Sequence, residues 1–229
     1  AGIGGNELGA KWAGIETVWN CEIETFQRNL LKKRFSNVKQ YDDIRTMSSP
    51  EWCDIISGGF PCQDISIGGK GEGIEGSRSR LWYEMRRVIR EVRPNYVIIE
   101  NSAALTFRGL GRVLYDLSEI GYDAEWQCLS AKAFGLQHGR ERIFIIAYTN
   151  EIGQKHGGKV SVFREFDISK QSERVFPKWR ERRDLPQPTN FRTANVLPNQ
   201  LDRVGALGNA VVPLISFYLF ECIRLHYCG

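Results

Sequence analysis

The sequence predicts an α/β fold, with helices wound on both sides of a mostly parallel sheet. Two unbroken apolar runs, Tyr96–Ile99 and Ile143–Ala147, read as strands covered on both faces. Residues with helical apolar spacing precede the first run and separate it from the second. Strand and helix alternating in this way mean a doubly wound sheet.

Taken in order, Trp52–Ser57 is a short buried strand that runs into Gly58-Gly59-Phe60-Pro61-Cys62-Gln63, a Gly/Pro-rich turn. Leu81, Trp82, Met85, Val88, Ile89 and Val92 line one side of a helix whose other side is filled by arginines. Arg93-Pro94 then leads into the Tyr96 strand. Leu110, Val113, Leu114, Leu117 and Ile120 form a second amphipathic helix closed by Gly121. Leu214–Leu225 is a mostly apolar helix. Between about 149 and 190 the periodicity fades and Gly, Lys, Arg and Pro take over. We therefore divide the chain into a main unit 1–148, a small irregular segment 149–190 and a return 191–229 to the main unit.

At 229 residues the chain can bury one core with a small appendage. No apolar stretch approaches the roughly 20 residues a membrane span needs, and no secretion signal is evident, so no membrane partner is expected. The six cysteines are scattered without CxxC or metal-ligand spacing, which points to reduced thiols, a cytoplasmic location and no metal site. Residues 151–183 hold nine Lys/Arg against five acids and so carry the whole net charge of +4. A basic block in an otherwise neutral chain suits a polyanion surface, although such runs are also common on plain solvated loops.

Four landmarks carry chemistry. Cys62 stands at the carboxyl end of a strand, where α/β proteins place reactive groups, or else is a buried structural thiol. Glu100-Asn101-Ser102 ends the Tyr96 strand at the same edge, where a partly desolvated carboxyl would share a proton near neutral pH, or else Glu100 is a helix-capping or salt-bridged acid. Arg140 and Arg142, at alternate positions entering the Ile143 strand, can face one side and grip a carboxylate, carbonyl or phosphate, or else are a pair of surface arginines at a strand edge. Glycine-rich Ala1–Gly5, followed by Glu22 and Asp43, fits the logic of nucleoside-cofactor sites, where backbone approaches closely and acids take ribose or amine hydrogens. GNAVVP (208–213) brings the chain end back before the last helix.

The order of these motifs resembles that of the C5-cytosine-specific DNA methyltransferases of bacteria and phages. AGIGG (1–5), CEIE (21–24), DDI (42–44), GFPCQDISIGGKGEG (59–73), ENS (100–102), QHGRERIF (137–144) and GNAVVP (208–213) follow the family's sequence of motifs. The resemblance implies a Rossmann-like, S-adenosyl-L-methionine-dependent fold that methylates C5 of a flipped-out cytosine in double-stranded DNA. By resemblance, Cys62 adds to C6, Glu100 protonates N3, Asn101 fixes geometry, and Arg142 supported by Arg140 holds the O2 side. Gly2, Ile3 and Gly4 would face the cofactor, Glu22 its ribose, Ile23 and Ile44 the faces of adenine, and Asp43 the adenine amine. Gly59, Pro61, Asn209 and Ala210 would complete that pocket. Gln63, Ser66, Lys70, Arg78 and Arg80 would lie on a basic glycine-rich loop that closes over DNA.

Some features depart from the family. Its usual strand and phenylalanine before AGxGG have no counterpart here, so residues missing from the sequence are expected. His138 replaces a customary glutamine, and Thr193–Leu207 fits poorly apart from Arg203. The segment 149–190 leaves room for a minimal target-recognition module only. A tRNA cytosine-5 methyltransferase of the same fold and an inactive nucleic-acid-binding relative are the alternatives. A companion restriction endonuclease and a bacterial or phage-infected cytoplasm are what the resemblance suggests for setting.

Overall fold

The computed structural model describes residues 1–61, 81–136, 138–155, 161–163 and 210–228. Cys62, Gln63, Ser66, Lys70, Arg78, Arg80, Asn209, Arg203 and most of 149–190 lie outside them. The elements are α1 (Gly5–Trp12), β1 (Trp19–Cys21), α2 (Thr25–Arg34), β2 (Lys39–Tyr41), β3 (Ile55–Gly59), α3 (Leu81–Val92) and β4 (Tyr96–Ser102). There follow α4 (Leu105–Arg108), α5 (Leu110–Glu119), β5 (Tyr122–Ser130), a 3-10 turn (Ala131–Phe134), β6 (Glu141–Thr149), α6 (Asn150–Lys155) and α7 (Pro213–Cys228).

β1 and β2 pair in parallel, and a four-stranded sheet runs in the order β3-β4-β6-β5. The alternation along β4 and β6 shows why both read as unbroken apolar runs. Val97, Ile99, Ile143, Ile145 and Ala147 face a core made with α3 and α5. Tyr96, Ile98, Phe144 and Ile146 face a second core made with α7, Ala10 of α1 and Ile152 of α6. Covering both faces makes every position apolar and leaves strand direction unspecified.

Direction is set by the connections. β3 and β4 are parallel, joined through α3, whereas β6 runs antiparallel to both β4 and β5. Only residues 131–140 join β5 to β6, too few for the crossover of a dozen or more that a parallel neighbour requires. The sheet is therefore mixed, within the α/β class the sequence predicts. β4 also continues beyond the apolar run: Glu100, Asn101 and Ser102 keep register with Phe144, Ile143 and Arg142.

The two chain ends meet through glycines. A Cβ on Gly5 would sit 2.2 Å from the Val211 carbonyl oxygen. One on Gly9 would sit 2.5 Å from Ser216 Cβ, 2.7 Å from Phe217 N and 2.8 Å from Pro213 O. Ser216 Oγ and Asn6 Oδ1 are hydrogen bonded at 2.7 Å across the same crossing. Gly9→Ala would gain up to about 1 kcal/mol of helix propensity. Overpacking against backbone that cannot rotate away costs about 1–3 kcal/mol. The clash wins, so a lower denaturant midpoint with unchanged m-value is expected for this variant.

Candidate active site

The parallel pairing of β3 and β4 sets Gly59 directly beside Glu100. The approach is tight: a Cβ on Gly59 would lie 2.6 Å from the Glu100 carbonyl oxygen and 3.1 Å from Oε2. Across β4, Ser102 pairs with Arg142, which puts Arg142 on the same face as Glu100, two residues along. Arg142 Nε lies 3.0 Å and Arg140 Nη2 3.9 Å from Glu100 Oε1. These are ion-pair contacts, since Oε1 receives no hydrogen bond of good geometry. Arg142 Nη1 instead donates to the Glu141 carbonyl at 2.8 Å.

Burial pushes the Glu100 carboxyl above the ordinary carboxylate range, against the pull of Arg142 and then Arg140 towards ionisation. Burial outweighs the two guanidinium groups, so the carboxyl holds its proton more readily than an exposed glutamate does. A small cavity opens on this face, lined by Glu100, Arg140, Arg142, Phe144, Val211 and Val212. The two valines come from the chain's far end and are carried there by α7. They were read in the sequence only as part of GNAVVP, not as walls of the acid's pocket.

Asn101 points the other way. Buried at 2% exposure, its Nδ2 donates to the Phe60 carbonyl at 3.1 Å, and its Oδ1 accepts from Ser102 N at 2.8 Å. The Phe60 ring packs on Trp82 with centroids 5.5 Å apart. Trp82 Nε1 donates to buried Asp116 at 2.8 Å, and Arg112 and Arg86 bridge the same carboxylate. The backbone on either side of residues 62–80 is thus fixed to β4 and α5. Phe60, Trp82 and Arg86 are visible in the sequence only as part of the Gly/Pro-rich turn and of the apolar and arginine-rich sides of α3, and Asp116 and Arg112 carry no sequence signal.

The glycine-rich start and its two acids form a second cluster. Gly2 (φ 64°) has open space where a Cβ would be, and its N–H donates to Glu22 Oε2 at 2.6 Å. Glu24 N–H donates to Glu22 Oε1 at 3.0 Å, so both carboxylate oxygens are oriented by backbone. Ile23 is 53% exposed beside it, while Ile44 packs against the α3 core. Asp43 accepts from Arg45 Nη2 at 2.6 Å, Nε at 2.9 Å and backbone N at 2.9 Å, which hold its carboxyl below the usual range. Ile3 gives its carbonyl to Arg34 at 3.3 Å, and Gly4 (φ 91°) caps α1. Ala210 and Pro61 are half-buried at the edges of the described segments.

Residues 1–204 match the C-5 cytosine-specific DNA methylase domain. The chain belongs to that family. It is 36% identical over 155 residues to the Type II methyltransferase M2.BsuMI of Bacillus subtilis (strain 168), covering 64% of this chain and 40% of the relative. It is 33% identical over 158 residues to the Type II methyltransferase M.NgoBI of Neisseria gonorrhoeae, covering 66% and 50%. The chain thus spans about half the length of the curated relatives it matches. In fold it resembles the Dnmt2 methyltransferase of S. pombe, at TM-score 0.62 and 17% identity over 98% of this chain and 96% of the other.

The family's cofactor is S-adenosyl-L-methionine. The second cluster fits it: two oriented acceptor carboxylates for hydroxyl and amine hydrogens, an exposed apolar Ile23 for a ring face, and open space above Gly2. No helix among the described residues is long and apolar enough to cross a membrane.

Proposed function

We propose that this chain carries the catalytic and cofactor-binding machinery for methylation of cytosine C5 in DNA, through a covalent adduct between Cys62 and C6 of a flipped-out base. The observation that carries the reading is the Glu100 site. A carboxyl whose proton affinity is raised by burial stands between two arginines and against Gly59, three residues before Cys62.

Cytosine C5 is too weak a nucleophile to take a methyl group unaided. Addition of the Cys62 thiolate to C6 forms a C–S bond and moves electron density to C5, while Glu100 gives its proton to N3. Arg142 and Arg140 then face the O2 side and offset charge developing on the ring. S-adenosyl-L-methionine supplies the methyl group. C5 next gives up its proton to solvent, the electron pair left behind restores the C5–C6 double bond and expels Cys62 as thiolate, and N3 gives its proton back to Glu100. A stacked base cannot present C6 to a thiolate, so the target must leave the helix. Glu22 and Asp43 are assigned to ribose and adenine, with Gly2, Ile3, Gly4, Ile23, Ile44, Gly59, Pro61, Asn209 and Ala210 around them. Gln63, Ser66, Lys70, Arg78 and Arg80 are assigned to DNA.

Incubation with tritiated S-adenosyl-L-methionine and either duplex DNA or tRNA tests the reading. Label in DNA is expected. Label in tRNA alone would move the substrate to RNA, and label in neither would remove the enzyme reading.

Arg140 gives a separate handle on Glu100. Its positive charge lowers the proton affinity of that carboxyl, so Arg140→Gln leaves it raised further. Protonated Glu100 is the active form, and activity falls as pH rises through its pKa. The alkaline limb of the kcat–pH profile is therefore expected to move to higher pH in Arg140→Gln.

A further inference from the structure

Arg28 sits one turn into α2, and its guanidinium reaches back past the helix start, the direction in which helical side chains lean. Nη1 donates to the carbonyls of Glu22 and Ile23, both at 3.2 Å. Nη2 donates to Thr25 Oγ1 at 3.4 Å, and Nε faces Asp42 Oδ1 at 3.4 Å. The main chain of Arg28 is held as well, its carbonyl accepting from Gln40 Nε2 at 3.1 Å. One side chain therefore ties the turn after β1 to the turn after β2.

Those two turns carry the two acids of the cofactor cluster. β1 and β2 run side by side with Cys21 opposite Tyr41, and Glu22 N–H donates to the Tyr41 carbonyl at 3.0 Å. Beyond that point no strand pairing continues, because β1 ends at Cys21 and β2 at Tyr41. Glu22–Ile23 and Asp42–Asp43 leave the sheet as neighbours whose separation the ladder no longer fixes. Arg28 spans that gap. Its planar fork reaches two carbonyls and a carboxylate at once, which the single ammonium of lysine cannot do.

We infer that Arg28 is a positioning residue for the cofactor, setting the ribose-facing Glu22 and the adenine-facing Asp43 at the spacing one adenosine moiety requires. It makes its contacts with the carbonyls of Glu22 and Ile23, with Thr25 Oγ1 and with Asp42, and takes no part in methyl transfer. The inference rests on the cofactor assignment made above. It adds a residue that neither the glycine-rich start nor the acid motifs include.

Calorimetric titration with S-adenosylhomocysteine and with adenosine alone tests it. Arg28→Ala is expected to weaken both ligands by about tenfold, the scale of lost charge-assisted hydrogen bonds. Arg28→Lys is expected to recover only part. At saturating S-adenosyl-L-methionine, kcat and the KM for DNA are expected to stay as in the wild type. Unchanged affinity in a folded Arg28→Ala protein overturns the inference, as does a fall in kcat with affinity intact. If Arg28→Ala does not fold, Arg28→Lys decides: wild-type affinity in that variant overturns the inference too. A wild-type protein that binds neither ligand overturns the cofactor assignment itself, a result distinct from failure of Arg28 alone.

Discussion

Cys62→Ser is expected to abolish both turnover and covalent trapping. A duplex with 5-fluorocytosine at the target should form a denaturation-resistant complex with the wild-type protein, because fluorine at C5 cannot leave as a proton does and the adduct cannot collapse. Serine keeps the size and loses the nucleophile: its hydroxyl stays protonated where a thiol has a usable thiolate fraction. Loss of an attacking group costs roughly 10⁴-fold or more in kcat. The variant should still bind S-adenosylhomocysteine, since the acids of that cluster lie on other turns. A trapped complex in Cys62→Ser would place the nucleophile elsewhere; a wild-type protein that methylates DNA without forming the trap would remove the covalent route.

The core strands were legible because burial on both faces forces unbroken apolar runs, as Tyr96–Ile99 and Ile143–Ala147 show. The same signal is silent on direction, which is why the antiparallel setting of β6 had to come from the short β5–β6 connection. β5 was not read at all. It lies at the sheet edge and mixes exposed Asp123, Trp126, Gln127 and Cys128 with buried Tyr122 and Leu129, so neither an apolar run nor a clean alternation marks it. β1 and β2, three residues each, are too short to carry a period.

The site divides in the same way. Glu100, Arg140 and Arg142 were readable as chemistry-bearing residues at strand ends, and the structure brings them together on one face. What closes the pocket was not readable, since Val211 and Val212 reach Glu100 only through the packing of α7 on α1. Glycines in the opening motif also turn out to be divided in purpose. Gly2 has open space where a Cβ would be, whereas a Cβ on Gly5 would meet the Val211 carbonyl. A motif names residues that occur together, and only the fold separates those that touch a ligand from those that hold the motif in place.

Glu100→Gln is the second large effect, and its size follows from the task assigned to the proton. Glutamine matches the side chain in shape and can still donate a hydrogen bond to N3, but it cannot transfer a proton. General acid catalysis of this kind contributes about 10²- to 10⁴-fold, so kcat is expected to fall by that range. The change removes the carboxylate that Arg142 and Arg140 face, leaving two guanidinium groups at 3.0 Å and 3.9 Å from a neutral amide. Arg142 keeps its bond to the Glu141 carbonyl, so the strand end should hold its shape. The proposed role gives the alkaline limb of the pH profile to Glu100, and that limb should vanish in the variant, because the amide does not titrate. Rate and pH dependence must therefore change together. A slow variant that retains the wild-type alkaline limb would assign that limb, and the proton, to another group.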